Sequence, residues 1–112
     1  MRRGDVVIAA VAGDYGKPRP AVVVQSDVFP AEHASVIICP MTSSVTPEAR
    51  DFRVDVVPSR DNGIRVASQI MADKPVTIRR ERVAAIVGRL SATDMRRLNA
   101  ALAFAIGLAD GA

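Results

Sequence analysis

A single arginine held between two prolines is the first group in this sequence that could do chemistry. Arg19 follows Gly16-Lys17-Pro18 and precedes Pro20 and an apolar run. Pro20 biases Arg19 toward an extended backbone, so a long cation is carried on a stiffened segment beside a flexible glycine loop. Such a group can position a phosphate, which a guanidinium binds through two parallel hydrogen bonds, while the loop closes. A solvated arginine at the start of a strand is the alternative interpretation.

Three hydroxyl side chains follow one another at the end of a second apolar run. Thr42, Ser43 and Ser44 begin two residues after Pro40, which has no N–H and should end a ladder or lie at a sheet edge. Hydroxyls and freed backbone N–H groups at such a point can cradle an anion. An ordinary Ser/Thr turn is the alternative. Cys39, inside the apolar run, is interpreted as a buried residue rather than a nucleophile.

A third segment combines a hydroxyl and an amide within an apolar stretch. Ser68 and Gln69 stand between Ala67 and Ile70. Their donors and acceptors could contact the edges of nucleic-acid bases. A polar pair at a sheet edge is the alternative. The only histidine, His33, is interpreted as a loop residue rather than an acid or base.

Composition limits the classes of protein to which the chain can belong. Its 112 residues predict one domain, 1–112, and the 49% hydrophobic content excludes a disordered chain. One cysteine and one histidine exclude a disulfide scaffold and a His- or Cys-rich metal site. The net charge is +3, and 13 of the 15 basic residues are arginines, since only Lys17 and Lys74 are lysines. This balance suits an anionic partner, although a GC-rich genome would also raise arginine usage.

Neither a signal peptide nor a membrane span is predicted. The apolar segment 6–12 is too short for a signal peptide and follows Asp5. The apolar stretch 100–109 is about half the ~20 residues that cross a bilayer. We therefore expect a cytoplasmic protein without a membrane partner.

The elements that must position these side chains are mostly strands. Short runs rich in Val and Ile, separated by turn residues, predict strands at Asp5–Val11, Ala21–Ser26, Ser35–Met41, Phe52–Val57, Ile64–Met71 and Val83–Leu90. Asp61-Asn62-Gly63 predicts a hairpin turn. Because no helices separate the strands, a small curved antiparallel barrel is favoured over a parallel sheet.

One helix is predicted at the C-terminal end. Ser91 and Asp94 resemble a capping box, and a helical stripe follows at Met95, Leu98, Leu102, Ala105 and Ala109. Gly107 is expected to weaken the last turn. The stripe is expected to pack on the barrel, with a partner interface as the alternative.

Taken together, these segments resemble the MazF/PemK (Kid) family of toxin–antitoxin ribonucleases. The matching pieces are Arg3-Gly4-Asp5-Val6, Arg19-Pro20-Ala21-Val22-Val23-Val24, Cys39-Pro40-Met41-Thr42-Ser43, Ser68-Gln69-Ile70 and Val87-Gly88-Arg89-Leu90-Ser91. Their order and spacing cover nearly the whole chain, and the set is more specific than any single piece.

The resemblance implies a small SH3-like barrel of the CcdB/MazF type with a C-terminal helix, working as a homodimer. It implies a toxin that cleaves single-stranded RNA, often mRNA at short motifs, with no metal or other cofactor. The 2′-OH attacks the adjacent phosphorus, which leaves a cyclic phosphate and a free 5′-OH. A cognate antitoxin with an acidic tail would occupy the RNA groove at the dimer interface.

In this resemblance the family's key arginine falls on Arg19 and its key threonine on Thr42. A guanidinium is effectively always protonated, so we expect Arg19 to stabilise the charge of the phosphorane rather than act as a base. The Thr42 hydroxyl is expected to be a further donor. The expected RNA-binding residues are Tyr15, Lys17, Ser43, Ser44, Ser68 and Gln69. Tyr15 is the best base-stacking group in a chain with one Tyr, three Phe and no Trp.

One residue departs from the family pattern. Many members carry Asp immediately before the glutamine of the third segment, where this chain has Ser68. The general base is therefore unassigned, and a module that binds RNA or antitoxin without cleaving it stays a possible function. A gyrase poison resembling CcdB is a second alternative, but such toxins rely on a C-terminal Trp, and this chain contains no Trp.

Overall fold

Seven strands and one α-helix make up the fold, which confirms the prediction of a β-rich chain that ends in a helix. The computed structural model describes residues 1–11 and 16–110. In chain order the elements are β1 (Asp5–Ala10), β2 (Pro18–Val23), β3 (Ser35–Thr42), β4 (Arg53–Val56), β5 (Ser68–Met71), β6 (Val76–Arg79), β7 (Val83–Arg89) and α1 (Ala92–Ala105). Short 3₁₀ turns occupy Pro47–Ala49, Arg80–Arg82 and Leu108–Asp110.

The strands form a barrel-like antiparallel sheet in the order β4-β5-β3-β2-β1-β7, and β6 pairs with β3 outside this path. β3 is the strand that organises it, because it pairs with β2 along one edge and with β6 and then β5 along the other. The expected barrel is not closed. Among the described residues, the end strands β4 and β7 do not pair with each other.

Pro40 marks the point at which β3 changes partner. β6 pairs with Ser35–Ile38 and β5 with Met41 and Thr42, so residues 39 and 40 fall between the two ladders. On the other edge, the pair of Pro40 with Ala21 is the last of the β2 ladder. A residue without an N–H is tolerated where a ladder is interrupted. The prediction that Pro40 ends a ladder is confirmed.

β2 begins three residues earlier than the predicted Ala21–Ser26 and ends at Val23. Pro18, Arg19 and Pro20 pair with β1, whereas the β3 ladder starts only at Ala21. The prolines are tolerated because this half of β2 has a bonded neighbour on one edge only.

Alternate side chains of β1, β2 and β3 enter two different cores. One core lies toward β4, β5 and α1 and contains Val6, Val22, Cys39, Met41, Ile70 and Leu98. The other lies on the opposite face, toward β6, and contains Val7, Ala9, Ala21, Val23, Val36, Ile38 and Ile78. Because both faces of these strands are buried, their sequences are continuous apolar runs rather than alternating ones.

The helix α1 begins as predicted and ends earlier. The Ser91 hydroxyl accepts a hydrogen bond of 3.0 Å from the Asp94 N–H, and Leu98 is fully buried. The helix stops at Ala105 because Gly107 takes a φ of +82°, a left-handed conformation that closes a helix. Ala109, predicted to belong to the helical stripe, lies beyond this end.

The connection between β4 and β5 is long rather than tight. The two strands form the predicted hairpin, but Val56 pairs with Ser68, so residues 57–67 connect them and the predicted strand Ile64–Met71 starts at Ser68. The Asn62 side chain is buried in this connection instead of turning a two-residue loop. β6 is not predicted from the sequence, because a four-residue strand with two apolar positions gives little periodicity.

Candidate active site

Arg19 and Thr42 lie at the same end of the sheet, where β2 begins and β3 ends. The β2–β3 register pairs Ala21 with Pro40. Arg19 and Thr42 each lie two residues beyond this last pair, where the β2–β3 ladder has ended. Residues two apart on a strand share a face, so the Arg19 and Thr42 side chains point to the same side of the sheet as Ala21 and Pro40. Since Arg19 is exposed and Thr42 half-buried, the two groups can face one phosphate.

A tight turn follows Thr42 and uses its hydroxyl. The Ser44 N–H donates to Thr42 Oγ1 at 3.1 Å, and the Val45 N–H donates to the Ser43 carbonyl at 3.1 Å. A hydroxyl that accepts one hydrogen bond keeps its own proton, so Thr42 can donate to an anionic oxygen. Ser43 and Ser44 are exposed beside it. The segment therefore forms a Ser/Thr turn that still presents hydroxyls to solvent.

The polar side chains continue across the next two strands. Thr42 pairs with Gln69 of β5, and Gln69 pairs with Asp55 of β4. Together with Arg19 these residues form a line across four strands, which we call the polar row. It brings a guanidinium, a hydroxyl, an amide and a carboxylate to one face of the sheet.

Gln69 is fully buried in the polar row, with an exposure of 0%. Its Oε1 accepts from the Thr46 N–H at 3.0 Å and from Arg53 Nη1 at 3.3 Å. Its Nε2 donates to the Thr46 carbonyl at 3.1 Å and to Asp55 Oδ1 at 2.9 Å. Both ends of the amide are therefore occupied by protein groups, and a base has no access to them in this conformation.

Ser68 does not join the polar row, since neighbouring residues of a strand point to opposite faces. It is buried, and its hydroxyl donates to the Val66 carbonyl at 2.9 Å. The structure thus places neither Ser68 nor Gln69 where RNA could reach it. Base contact by these two side chains stays a prediction that their burial does not support.

The remaining predicted contacts lie near the start of β2. Lys17 is exposed immediately before the strand. Tyr15, predicted to stack on a base, lies outside the described residues. Lys17 therefore adds a positive charge close to Arg19, and no contact is assigned to Tyr15.

Three residues of this region were missed by the sequence analysis: Thr46, Arg53 and Asp55. The alternation in Arg53-Val54-Asp55-Val56 indicates that Arg53 and Asp55 share the polar face of β4. Nothing local, however, shows that this face meets Gln69, which is set by the β4–β5 register. Arg53 also has a buried Nε without a hydrogen-bond partner in the part of the chain that the structure describes.

Cys39 is not a nucleophile. It is fully buried, and burial raises the pKa of its thiol to about 12. The thiolate, which is the reactive form, is therefore scarce at neutral pH. The interpretation of Cys39 as a buried residue is confirmed.

The described residues, 1–11 and 16–110, offer neither a metal-binding cluster nor a membrane-spanning helix. This part of the chain contains no group of three or more His, Cys, Asp or Glu side chains arranged to hold a metal ion. Its helices include none with the length and apolar character needed to cross a membrane.

Comparison with known proteins matches both the sequence and the fold. Residues 2–106 match the profile of the PemK-like, MazF-like toxins of type II toxin–antitoxin systems. The chain is 43% identical over 110 residues to a probable endoribonuclease MazF of Mycolicibacterium smegmatis, covering 97% of this chain and 99% of that protein.

Solved structures with similar folds include two from mycobacteria. The Mycobacterium tuberculosis toxin MazF-mt6 superimposes with a TM-score of 0.78 at 23% identity, covering 92% of this chain and 96% of that one. A mycobacterial endoribonuclease in complex with its cognate antitoxin gives a TM-score of 0.81 at 23% identity, covering 96% of each chain. At this identity the structures support the fold, whereas the profile match over nearly the full length establishes descent. The chain therefore belongs to the PemK/MazF family of toxins of type II toxin–antitoxin systems.

Proposed function

We propose that this chain is an endoribonuclease toxin that cleaves single-stranded RNA, mRNA in particular, at short sequence motifs and without a metal ion. Residues 1–112 act as one domain, and the site of action is the cytoplasm. One observation carries the proposal: Arg19 and Thr42 share a face at one end of β2 and β3, in a chain 43% identical to a probable endoribonuclease.

The chemistry is a transesterification within the RNA. The 2′-oxygen forms a bond to the adjacent phosphorus, the bond from phosphorus to the 5′-oxygen breaks, and the proton of the 2′-OH ends on the 5′-oxygen. Negative charge gathers on the phosphoryl oxygens as the phosphorus becomes five-coordinate. The Arg19 guanidinium and the Thr42 hydroxyl stabilise that charge as fixed donors, a contribution worth about 10²–10³ in rate for one donor.

A homodimer and an antitoxin complex are part of the proposal. β7 is an end strand of the sheet with exposed apolar side chains, since Ile86 is 54% and Val87 39% exposed. A second copy would cover such an edge. The antitoxin partner is supported by the similar endoribonuclease solved with its cognate antitoxin and by this chain's net charge of +3, which suits an acidic tail. Light scattering at micromolar concentration tests the dimer, and a monomeric mass would contradict it.

The direct test is incubation of the purified protein with single-stranded RNA in EDTA. We expect fragments that end in a cyclic phosphate and begin with a 5′-OH. A substrate with 2′-deoxyribose at the cut site should stay intact, because it lacks the attacking oxygen. Intact all-ribose RNA with folded protein would refute the enzyme, and binding without products would favour a non-cleaving module.

Variants of the two site residues locate the chemistry. Thr42→Val should lower the cleavage rate by about 10²-fold and Thr42→Ser should restore most of it, because serine keeps the hydroxyl. Arg19→Ala should lower the rate at least as much, and the exposed Arg60→Ala in the β4–β5 connection serves as the charge-matched control. Equal effects of Arg19→Ala and Arg60→Ala would contradict the assigned role.

A further inference from the structure

We propose that Gln69 is a positioning residue that holds the turn carrying Thr42, and not a group that reads a base. The inference rests on the proposed ribonuclease function and assigns a role to the one fully buried member of the polar row. It is carried by the contacts of a single amide.

Gln69 holds both ends of the segment 42–46. At the first end, its backbone pairs with Thr42 in the β3–β5 ladder. At the other end, its side chain binds both the N–H and the carbonyl of Thr46, at 3.0 and 3.1 Å. The residues between them are the exposed turn, in which the Ser44 N–H donates to the Thr42 hydroxyl. Releasing Thr46 would therefore free the turn that orients this hydroxyl.

An amide is the side chain that can pair with both backbone groups of Thr46. The backbone of Thr46 offers a donor and an acceptor, and the planar glutamine amide accepts from one and donates to the other. A carboxylate can only accept, and it would face the Thr46 carbonyl without a proton. An apolar residue would leave both backbone groups of the exposed Thr46 to water, so the main effect would be a turn that is no longer held in place.

The amide is itself held in one orientation. Asp55 Oδ1 accepts from its Nε2 at 2.9 Å, and Arg53 Nη1 donates to its Oε1 at 3.3 Å. These partners define which end of the amide is oxygen and which is nitrogen. Asp55 is in turn bonded to the helix α1, because Arg97 Nη1 donates to the backbone carbonyl of Asp55 at 2.9 Å. The turn is thus connected to the rigid part of the fold through Gln69.

Because Gln69 acts on Thr42 rather than on RNA, its loss should lower kcat and leave KM nearly unchanged. We expect Gln69→Ala to lower kcat by about 10²-fold, the usual effect of misplacing a catalytic group by about 1 Å. Gln25→Ala is the matched control. Gln25 is also buried and its Oε1 accepts from a backbone N–H, that of Ile37, but it lies at the opposite end of β2 and β3.

A double-mutant cycle separates positioning from a merely structural role. If Gln69 works through the Thr42 hydroxyl, Gln69→Ala should cost little further rate in a Thr42→Val background. Multiplicative losses would overturn the proposal. A changed base preference at the cut site with kcat intact would do so too, because it would make Gln69 a base reader.

Isosteric substitutions guard against loss of folding in the alanine variant. Gln69→Glu keeps the shape but cannot donate, so kcat should fall as in Gln69→Ala. Adding Asp55→Asn to that variant reverses this hydrogen bond, because the asparagine amide can donate to the new carboxylate at position 69. The double variant should therefore recover part of the lost rate. A Gln69→Glu single variant with wild-type kcat would contradict the requirement for an amide.

Amide hydrogen exchange gives a readout that does not depend on cleavage. The Thr46 N–H should exchange faster in Gln69→Ala than in the wild type, whereas exchange in the core of β1 should be unchanged. Unaltered exchange at Thr46 would overturn the proposal even if the rate fell. Conversely, faster exchange in a protein that never cleaves RNA would keep the role of Gln69 in holding the turn and remove only the proposed ribonuclease function.

Discussion

Replacing Asn62 with alanine tests how a single side chain organises the β4–β5 connection. Asn62 is 4% exposed. Its Oδ1 accepts from the Ser59 N–H at 3.0 Å and the Ile64 N–H at 2.9 Å, and its Nδ2 donates to the Val57 carbonyl at 2.9 Å. Asn62→Ala removes all three bonds and leaves the backbone groups in place.

The loss of stability depends on whether water can reach each backbone group that Asn62 leaves without a partner. Ile64 is buried, so its N–H loses its partner without gaining water, which costs about 1–3 kcal/mol. Ser59 and Val57 are exposed, so water can replace their hydrogen bonds to Asn62. The loss of each of these two bonds costs about 0.5–1 kcal/mol. We therefore expect Asn62→Ala to lower the free energy of unfolding by about 2–5 kcal/mol. Asn62→Asp keeps both acceptors and should lose less.

Urea unfolding followed by circular dichroism measures this difference, provided that the m-value is unchanged. Asn99→Ala is the control, because Asn99 is exposed on α1 and its Oδ1 accepts from Arg3 Nη2 at 2.6 Å, a bond that water can replace. Its free energy of unfolding should stay within about 0.5 kcal/mol of the wild type. An Asn62→Ala variant as stable as Asn99→Ala would show that the Asn62 side chain does not hold the β4–β5 connection.

Four further predictions concern Cys39, Gly88 of β7 and the N-cap of α1. Because burial raises the pKa of the Cys39 thiol from 9.0 to about 12, thiol reagents at pH 8 should modify the protein only in denaturant. The unfolded thiol ionises first, so the stability that Cys39 contributes should be intact below about pH 9 and fall as the pH rises toward 12, which alkaline unfolding titrations would show. Gly88→Ala would push a Cβ into the Asn62 carbonyl group and should lower the free energy of unfolding by about 1–3 kcal/mol; an unchanged melting temperature would contradict this. Ser91→Ala removes the N-cap bond and should cost about 1 kcal/mol in urea unfolding, more than the exposed Thr93→Ala.

Local signals in the sequence were sufficient for most elements of the fold. The runs of Val and Ile lie within or beside the observed strands, and Ser91 caps the helix as predicted. The errors occur where tertiary contacts override local preference. Asp61-Asn62-Gly63 has the composition of a tight turn, yet Asn62 is used to hold an eleven-residue connection, 57–67, between β4 and β5.

The candidate site was predictable in part. Arg19 and Thr42 were identified from their neighbours in the sequence and from the family resemblance, and both lie at the end of the sheet where β2 begins and β3 ends. The role of Gln69 was not predictable, because it depends on contacts with Thr46, Arg53 and Asp55, which are distant from it in the chain.

The strand-rich character of the chain and the cap of its helix follow from the sequence, because propensity and capping act over a few neighbouring residues. The family follows from the sequence too, because its motifs are recognised by their order along the chain. The folded chain is needed to learn which strand pairs with which, where β3 changes partner and which polar side chains are buried. These depend on pairings between residues far apart in the chain, as when Gln69 lies between Thr42 and Asp55. A shift of one residue in either ladder would turn Gln69 to the opposite face and release the turn.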